Sequence, residues 1–446
     1  MHEAALAHGT TNLNWHNVSR GEYFLLGEII REVIEHHGRA VTSCALAVPG
    51  YFNPAQRGIM LYAARIAKVK YRGIVNAGTA IVLAYSHLKQ KDGNYLVYEL
   101  GYGGLEVTLA EVRQGVIRII AAANTRQLSG AKLYDVLATK LKAEYLQLNQ
   151  DALWRPSPEQ QIDQALAQLG HSLLVHGQGH LRLNYSVLRE DQSFEGKTFL
   201  KQYSLADWNA DIESLTPHSL GVIQSVLDSA GDRAHSIDTL LLAGASSCLP
   251  FVKDQLSTLF PDVPMVDLAK EDSLQPERRP SGPTGSVEWF VAAGAAIIAN
   301  GLIGSPTTNT EVHDILRHDI ILRQEGLSDD TILERGTPLP ATVRCTRSLD
   351  QPLDVIVPFD PDAPNDTIRL ARISATTQPA VGAIIKLTVD GDGLFSVAAS
   401  TEGLDLKVDV SPRVTESEAA EIAQQIDEID REAQEKNYQF WKNAQV

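Results

Sequence analysis

Two carboxylates flank a cluster of glycines in the stretch Glu99-Leu100-Gly101-Tyr102-Gly103-Gly104-Leu105-Glu106. Glycine suits a turn that must approach another group closely, and such turns often hold phosphate, because several N–H groups can converge on one concavity with no side chain in the way. The flanks supply the scaffold. Apolar Leu96-Val97-Tyr98 runs into the cluster and the alternating Leu105, Val107 and Leu109 lead out of it, the pattern of two paired strands joined by a tight turn. An ordinary hairpin, with Glu99 merely closing it, is the competing reading of the same residues.

Other blocks accompany the turn. Upstream stand Ala47-Val48-Pro49-Gly50-Tyr51-Phe52-Asn53-Pro54-Ala55-Gln56-Arg57, a helical stretch to Lys68, and Val75-Asn76-Ala77-Gly78-Thr79-Ala80-Ile81-Val82-Leu83-Ala84-Tyr85. In this order and spacing they resemble the nucleotide-binding domain of the heat-shock protein 70 (DnaK-type) chaperone family. That family reads V-P-A-Y-F-N-x-x-Q-R, then N-E-P-T-A-A-A-L-A-Y, then D-L-G-G-G-T-F-D-V-S. Downstream, Ile237 to Pro250 resembles the family's second adenosine motif, and Val291 to Ile297 its A-x-G-A-A helix. Ile332 to Pro340 and Ile384 to Val397 resemble two blocks of its peptide-binding domain, and Thr415 to Phe440 resembles its first lid helix.

The resemblance implies an α/β actin-like ATPase domain, an antiparallel β-sandwich that binds peptide, and a short C-terminal helix. It implies ATP or ADP with Mg2+ as ligand. Gly101, Gly103 and Gly104 then face phosphate, with Gly130, Gly244, Ser246 and Ser247 on the other nucleotide loops. Glu99 and Glu106 take the places of the family's two motif carboxylates, which makes both candidates for the metal and Glu99 the catalytic candidate. The departures fall on the chemistry. Ala77 stands where the family has a catalytic-site Glu, Tyr102 where it has Gly, Gly104 where it has Thr, Ala245 where it has Gly and Cys248 where it has Arg. Hydrolysis needs a metal near the β- and γ-phosphates, a positive group against the developing charge and an oriented water. Each Glu is one methylene longer than the family's Asp, and a displacement of about 1 Å at such a site can cost ~100-fold in rate. The family's opening hairpin, with its I-D-L-G-T-T-type loop and its lysine, has no counterpart in this sequence. The expectation is therefore an N-terminally truncated nucleotide domain with a degenerate site.

Composition sets the outer bounds. The chain has 446 residues, of which 44% are hydrophobic and 21% charged, values typical of a globular protein of two to four domains. Its formal charge of −16 argues against nucleic acid and anionic membranes as general partners. No apolar run approaches the ~20 residues of a membrane span and no signal-peptide core opens the chain, so a cytoplasmic setting is expected. Cys44, Cys248 and Cys345 are too few and too scattered for a disulfide framework or a zinc site, and reduced, mostly buried thiols are expected.

Along the chain we expect a leader over 1–18, the nucleotide domain over 19–305, a linker over 306–317, the β-sandwich over 318–412 and the terminal helix over 413–446. A helix should fill Glu22 to His37, a strand Val116 to Ala123, and further helices Ala131 to Leu148, Glu159 to Leu174 and Leu215 to Gly231. Asp390, Asp392 and Glu402 read as a solvated turn, since no Glu follows at calcium-loop distance. Two functions compete. One is an ATP-regulated chaperone for unfolded or nascent polypeptide, served by J-domain or exchange-factor co-chaperones. The other is a non-hydrolysing scaffold or exchange-factor-like relative working beside a full-length chaperone. An incomplete gene product of an ATP-dependent chaperone is a third reading.

Overall fold

The structure is a computed structural model. It describes residues 27, 30–31, 43–148, 152–153, most of 164–173, 176–188, 193–271, 285–301, 311–360, 362–376, 380–401 and 405–410. The expected leader, most of the helix over 22–37, residues 306–310 of the linker, Glu402 and the expected C-terminal helix lie outside the described residues.

Strand β1 (Ser43–Val48) leads through Pro49 into helix α1 (Pro54–Ile66). The F-N-P-A-Q part of the motif is a helix start. Asn53 Oδ1 accepts from the backbone N–H groups of Ala55 and Gln56, at 3.0 and 3.1 Å, and Gln56 Oε1 accepts from Asn53 N–H at 2.9 Å, with Pro54 at the first helical position. Strand β2 (Lys70–Asn76) returns parallel to β1 and runs directly into helix α2 (Ala77–Lys89), ten of whose residues are buried. Strands β3 (Gly93–Leu100), β4 (Leu105–Arg113) and β5 (Val116–Thr125) follow, then helix α3 (Gly130–Leu148) and the short β6 (Ala152–Leu153). A long hairpin, β7 (Gln178–Leu188) and β8 (Phe194–Ser204), gives way to helices α4 (Leu205–Asp211) and α5 (Thr216–Ala230). Strand β9 (Thr239–Ala243), helix α6 (Pro250–Leu259), strand β10 (Met265–Asp267) and helix α7 (Gly285–Gly301) complete the α/β part. The rest is strand: β11 (Glu311–His313), β12 (Ile320–Gln324), β13 (Asp330–Leu333), β14 (Ala341–Leu349), β15 (Leu353–Asp360), β16 (Ala363–Ala375), β17 (Ala380–Val389), β18 (Phe395–Ser400) and β19 (Leu406–Val410).

Two compact units result. One contains residues 88–112 and 120–290. Its sheet runs β10-β9-β3-β4-β5, with β9 parallel to both β3 and β10, and β3 antiparallel to β4. Tyr95, Leu96, Val97 and Tyr98 are successive buried residues of β3, so both faces of the strand are covered and the alternation typical of a half-buried strand disappears. The Tyr98 hydroxyl meets Ser219 Oγ at 2.9 Å, which satisfies a polar tip in an apolar layer. The β7–β8 hairpin pairs along its whole length and buries Leu181, Leu183, Phe199 and Tyr203 on one side.

The second unit contains residues 1–87, 113–119 and 291–446. Its β-sandwich has a five-stranded sheet, β13-β12-β15-β16-β19, and a three-stranded one, β14-β17-β18, all antiparallel. Period-two burial builds it: Ala383, Ile385, Leu387 and Val389 of β17 face the core while Ile384 and Lys386 face solvent. Within the expected linker, Glu311–His313 forms a strand parallel to the first residues of β5, and Ile315 bridges Pro338. Gly294 of α7 lies against α2, where a Cβ would run into the Ala80 carbonyl, so the small residues of the A-x-G-A-A motif serve close helix packing. Cys44 and Cys345 are half-buried thiols, and burial raises the pKa of each. Among the described residues no helix is long and apolar enough to cross a membrane.

Candidate functional site

Three loops predicted from separate parts of the sequence meet at the ends of β3 and β9. The β3–β4 turn closes on itself through Gly101 N–H to Gly104 O at 3.0 Å. The first residues of α3 then dock on it: Gly130 N–H donates to Gly101 O at 2.8 Å and Ala131 N–H to Tyr102 O at 3.0 Å. A Cβ on Gly130 would sit 3.1 Å from Tyr102 Cα and 3.2 Å from Ser246 Oγ. Gly244 follows β9 with φ +82°, and a Cβ there would collide with the Leu100 carbonyl. At Gly244 the backbone approach requires glycine, and at Gly130 a Cβ would have to push its neighbours back by a few tenths of an ångström. Gly101, Gly130, Gly244 and Ser246 thus form one cradle, and Gly103 sits exposed on the turn above it. Gly104 is buried, and Ser247 closes its own turn by donating Oγ–H to Gly244 O at 2.7 Å. Tyr102 is 55% exposed, and burial, followed by the Asp135 charge of α3, raises its pKa.

Beneath the turn, Glu99 and Glu106 are direct cross-strand partners in the β3–β4 ladder. Directly opposed side chains sit within about 5 Å at Cβ. Glu106 is 3% exposed and accepts from Thr108 Oγ1 at 3.1 Å. Glu99 is half-buried as a residue, but its Oε2 is enclosed and has no hydrogen-bond partner. Burial, and then the Glu106 charge, push the Glu99 carboxyl well above the usual carboxylate range. A raised carboxyl pKa means the folded state holds a proton the unfolded state releases. The stabilising effect is full below the ordinary carboxylate range and disappears as pH rises through the raised value. Glu99→Gln is therefore expected to gain about 1–3 kcal/mol at pH 8.5 and nearly nothing at pH 4, measured by urea unfolding at both pH values. Equal effects at the two pH values would show that the pair does not share a buried site.

The arrangement offers a divalent cation two opposed carboxylates, one with an orphaned oxygen, next to backbone that only glycine can occupy. Mg2+ is commonly held by one or two carboxylates plus phosphate oxygens and waters, so the two carboxylates fit it. Among the described residues no group of three or more His, Cys, Asp or Glu gathers to hold a metal alone.

A second polar constellation lies in the other unit, around Arg57 of α1. Arg57 is 5% exposed. Its Nε donates to Phe52 O at 3.0 Å and Nη1 to Asp392 O at 3.2 Å, and Nη2 bonds Asn76 Oδ1. Asp392 accepts from the Tyr71 hydroxyl and from Ile74 N–H at 3.1 Å. Asp314 accepts from Asn76 Nδ2 at 2.9 Å and Thr79 Oγ1 at 2.8 Å. This corrects the reading of Asp392 as part of a solvated turn: the turn is packed, and Gly393, with φ +73°, leaves only 3.0 Å between a would-be Cβ and the Arg57 side chain. Sequence reasoning quoted Arg57, Asn76 and Asp392 inside motifs but assigned them no partners, and it passed over Tyr71 and Asp314. The only sequence signal was their place inside or beside blocks with family-like spacing.

A glycine-lined cradle on an α/β sheet, carried in one chain with a two-sheet antiparallel sandwich, places the protein among those that couple a nucleotide-type fold to a β-domain. The chain belongs to the heat-shock protein 70 family, matching the Hsp70 protein family over residues 22–445. It is 26% identical over 407 residues to a Chaperone protein HscA homolog of Shewanella denitrificans, a match covering 86% of this chain and 60% of that protein. It is also 26% identical to Chaperone protein dnaK1 of Prochlorococcus marinus, over 87% of this chain and 57% of that one. A third relative, a Chaperone protein HscA homolog of Rickettsia conorii, is 26% identical over 80% of this chain and 54% of its own length. The chain thus spans a little over half the length of the curated relatives it matches.

Proposed function

We propose that the protein is an Hsp70-type chaperone or co-chaperone that binds extended apolar segments of unfolded or nascent polypeptide, with a nucleotide site kept in outline and degenerate for hydrolysis. The observation that carries the reading is the convergence of Gly101, Gly130 and Gly244 on one cradle above the Glu99–Glu106 pair. In it Gly101, Gly103, Gly130, Gly244 and Ser246 hold ATP or ADP, and Glu99 and Glu106 hold Mg2+, which when bound neutralises charge on the phosphates. Glu99 keeps the catalytic candidacy, but its longer side chain, Ala77 and Gly104 leave the water and the developing charge without the groups hydrolysis needs. The domain reading of 19–305 as nucleotide domain, 306–317 as linker, 318–412 as peptide-binding sandwich and 413–446 as terminal helix belongs to this proposal. So do partnership with J-domain or exchange-factor proteins and a cytoplasmic setting.

One observation favours the scaffold alternative, in which nucleotide plays no part. The Gly130 and Ala131 N–H groups at the start of α3 are already bonded to hairpin carbonyls, so two of the donors a phosphate would use are engaged. Calorimetry decides between the readings. We expect weak ADP binding in Mg2+, no better than tens of micromolar, and turnover no faster than a Glu99→Ala control. The absence of any binding at millimolar ADP leaves the scaffold; turnover that the control abolishes overturns the degenerate site.

A further inference from the structure

His318 stands where the sandwich segment 314–318 and the 390–393 turn meet α1 and β2, and the hydrogen-bond network of Arg57 does not use it. Its ring is 5% exposed and is held by a hydrogen bond to the Tyr51 backbone, while Nε2 is buried with no partner. A neutral imidazole has one donor and one acceptor nitrogen. With one nitrogen on Tyr51, Nε2 is left as the site where a second proton would go. Beside it lies a cavity of about 20 Å3, lined by Phe52, Arg57, Asp314, Arg317, His318 and Asp392 among others. That is space for about one water, too little to hydrate a cation.

The charges around the ring are already committed. Arg57, Arg317 and Arg335 each oppose a further positive charge there. On the acidic side, Asp314 accepts from Asn76, Thr79, Ile315 N–H and Arg317. Asp392 accepts from Tyr71 and Ile74 N–H, Asp319 from Arg335 N–H, and Asp390 from the N–H groups of Asp392 and Leu394. A protonated His318 would find its nearest charges to be guanidinium groups, and pairing it with a carboxylate would break a bond that holds the seam.

We propose that His318 is an acid-sensitive latch: its protonation releases the 314–318 segment and the 390–393 turn from α1 and β2, so that the β-sandwich lets go of the Arg57 face on mild acidification. Burial, followed by the Arg57 charge, lowers the ring to about 4 in the closed seam, against 6.5 in solvent. The neutral form is favoured when closed. Closure is fully supported above pH 6.5, weakens as pH falls, and reaches its maximal loss near pH 4. At pH 5 the closing equilibrium should be lower by about 30-fold than at neutral pH.

Hydrogen exchange on the full chain reads this out, since Ile74 N–H is bonded across the seam to Asp392 Oδ1. Between pH 7.5 and 5.0, after correction for intrinsic rates, Ile74 protection should fall about 30-fold relative to amides of the β3–β4 ladder. His318→Leu and His318→Gln, both uncharged, should each flatten that change, and either one suffices where the other fails to fold. Two results overturn the proposal. One is Ile74 protection that does not fall with acid in the wild type. The other is an equal fall in the variants, which would assign the effect to Asp390 or another carboxylate of the turn.

Discussion

Arg57→Ala is expected to destabilise the unit built from residues 1–87, 113–119 and 291–446 by about 3–5 kcal/mol, read as a drop in its urea midpoint with the slope unchanged. The guanidinium is buried and spends its donors on Phe52 O, Asp392 O and Asn76. Deleting it leaves these acceptors buried and unmet, and opens a hole under Gly393 where the side chain's stem was packed. Arg57→Lys should recover little, because an ammonium on a flexible stem cannot address three acceptors in a fixed fork. A loss below about 1 kcal/mol in the alanine variant would mean the seam does not depend on this residue.

Gly244→Ala should be nearly as costly, about 3 kcal/mol or more, and should abolish whatever nucleotide binding the cradle has. Its backbone, at φ +82° and ψ 143°, is in a region only glycine occupies readily. The added methyl would also meet the Leu100 carbonyl, a backbone atom fixed by the β3–β4 ladder, so the strain cannot be relieved by a side-chain rotation. The loop must move away from the β3–β4 turn, which separates Ser246 from Gly130. Thermal unfolding and ADP calorimetry on the same sample test both parts. A variant with wild-type stability and wild-type binding would show that the close approach is not present in solution.

The turn geometry at Glu99 and Glu106 could be worked out from the letters. In a hairpin closed by Gly101 and Gly104, residues two further out on each side must be partners, and the register places Glu99 opposite Glu106. Helix starts were equally legible. Asn53, Pro54 and Gln56 cap α1 through local hydrogen bonds that need no distant residue. Period-two alternation along β17 is written in the letters for the same reason, since which side of a strand is apolar is a local property. The β7–β8 hairpin escaped, although Leu181 and Leu183 alternate with polar residues, because its face is only half covered and its apolar signal is short.

What the sequence determined by itself was the family and the local elements, because motif spacing, capping and alternation are written within a few residues of one another. The tertiary structure decided partnership. Asp392 lies more than three hundred residues from Tyr71 and Ile74, and only the closure of the chain turns a polar Asp-Gly-Asp-Gly turn into an acceptor for both. The same holds for His318. A histidine beside an arginine and an aspartate in sequence looks like solvated surface, and it becomes a buried, neutral ring only because the β1–α1 loop brings Tyr51 and α1 brings Arg57 onto it. Burial and the charges that accompany it are sums over neighbours from the whole chain, and these sums fix protonation, which no local pattern of residues contains.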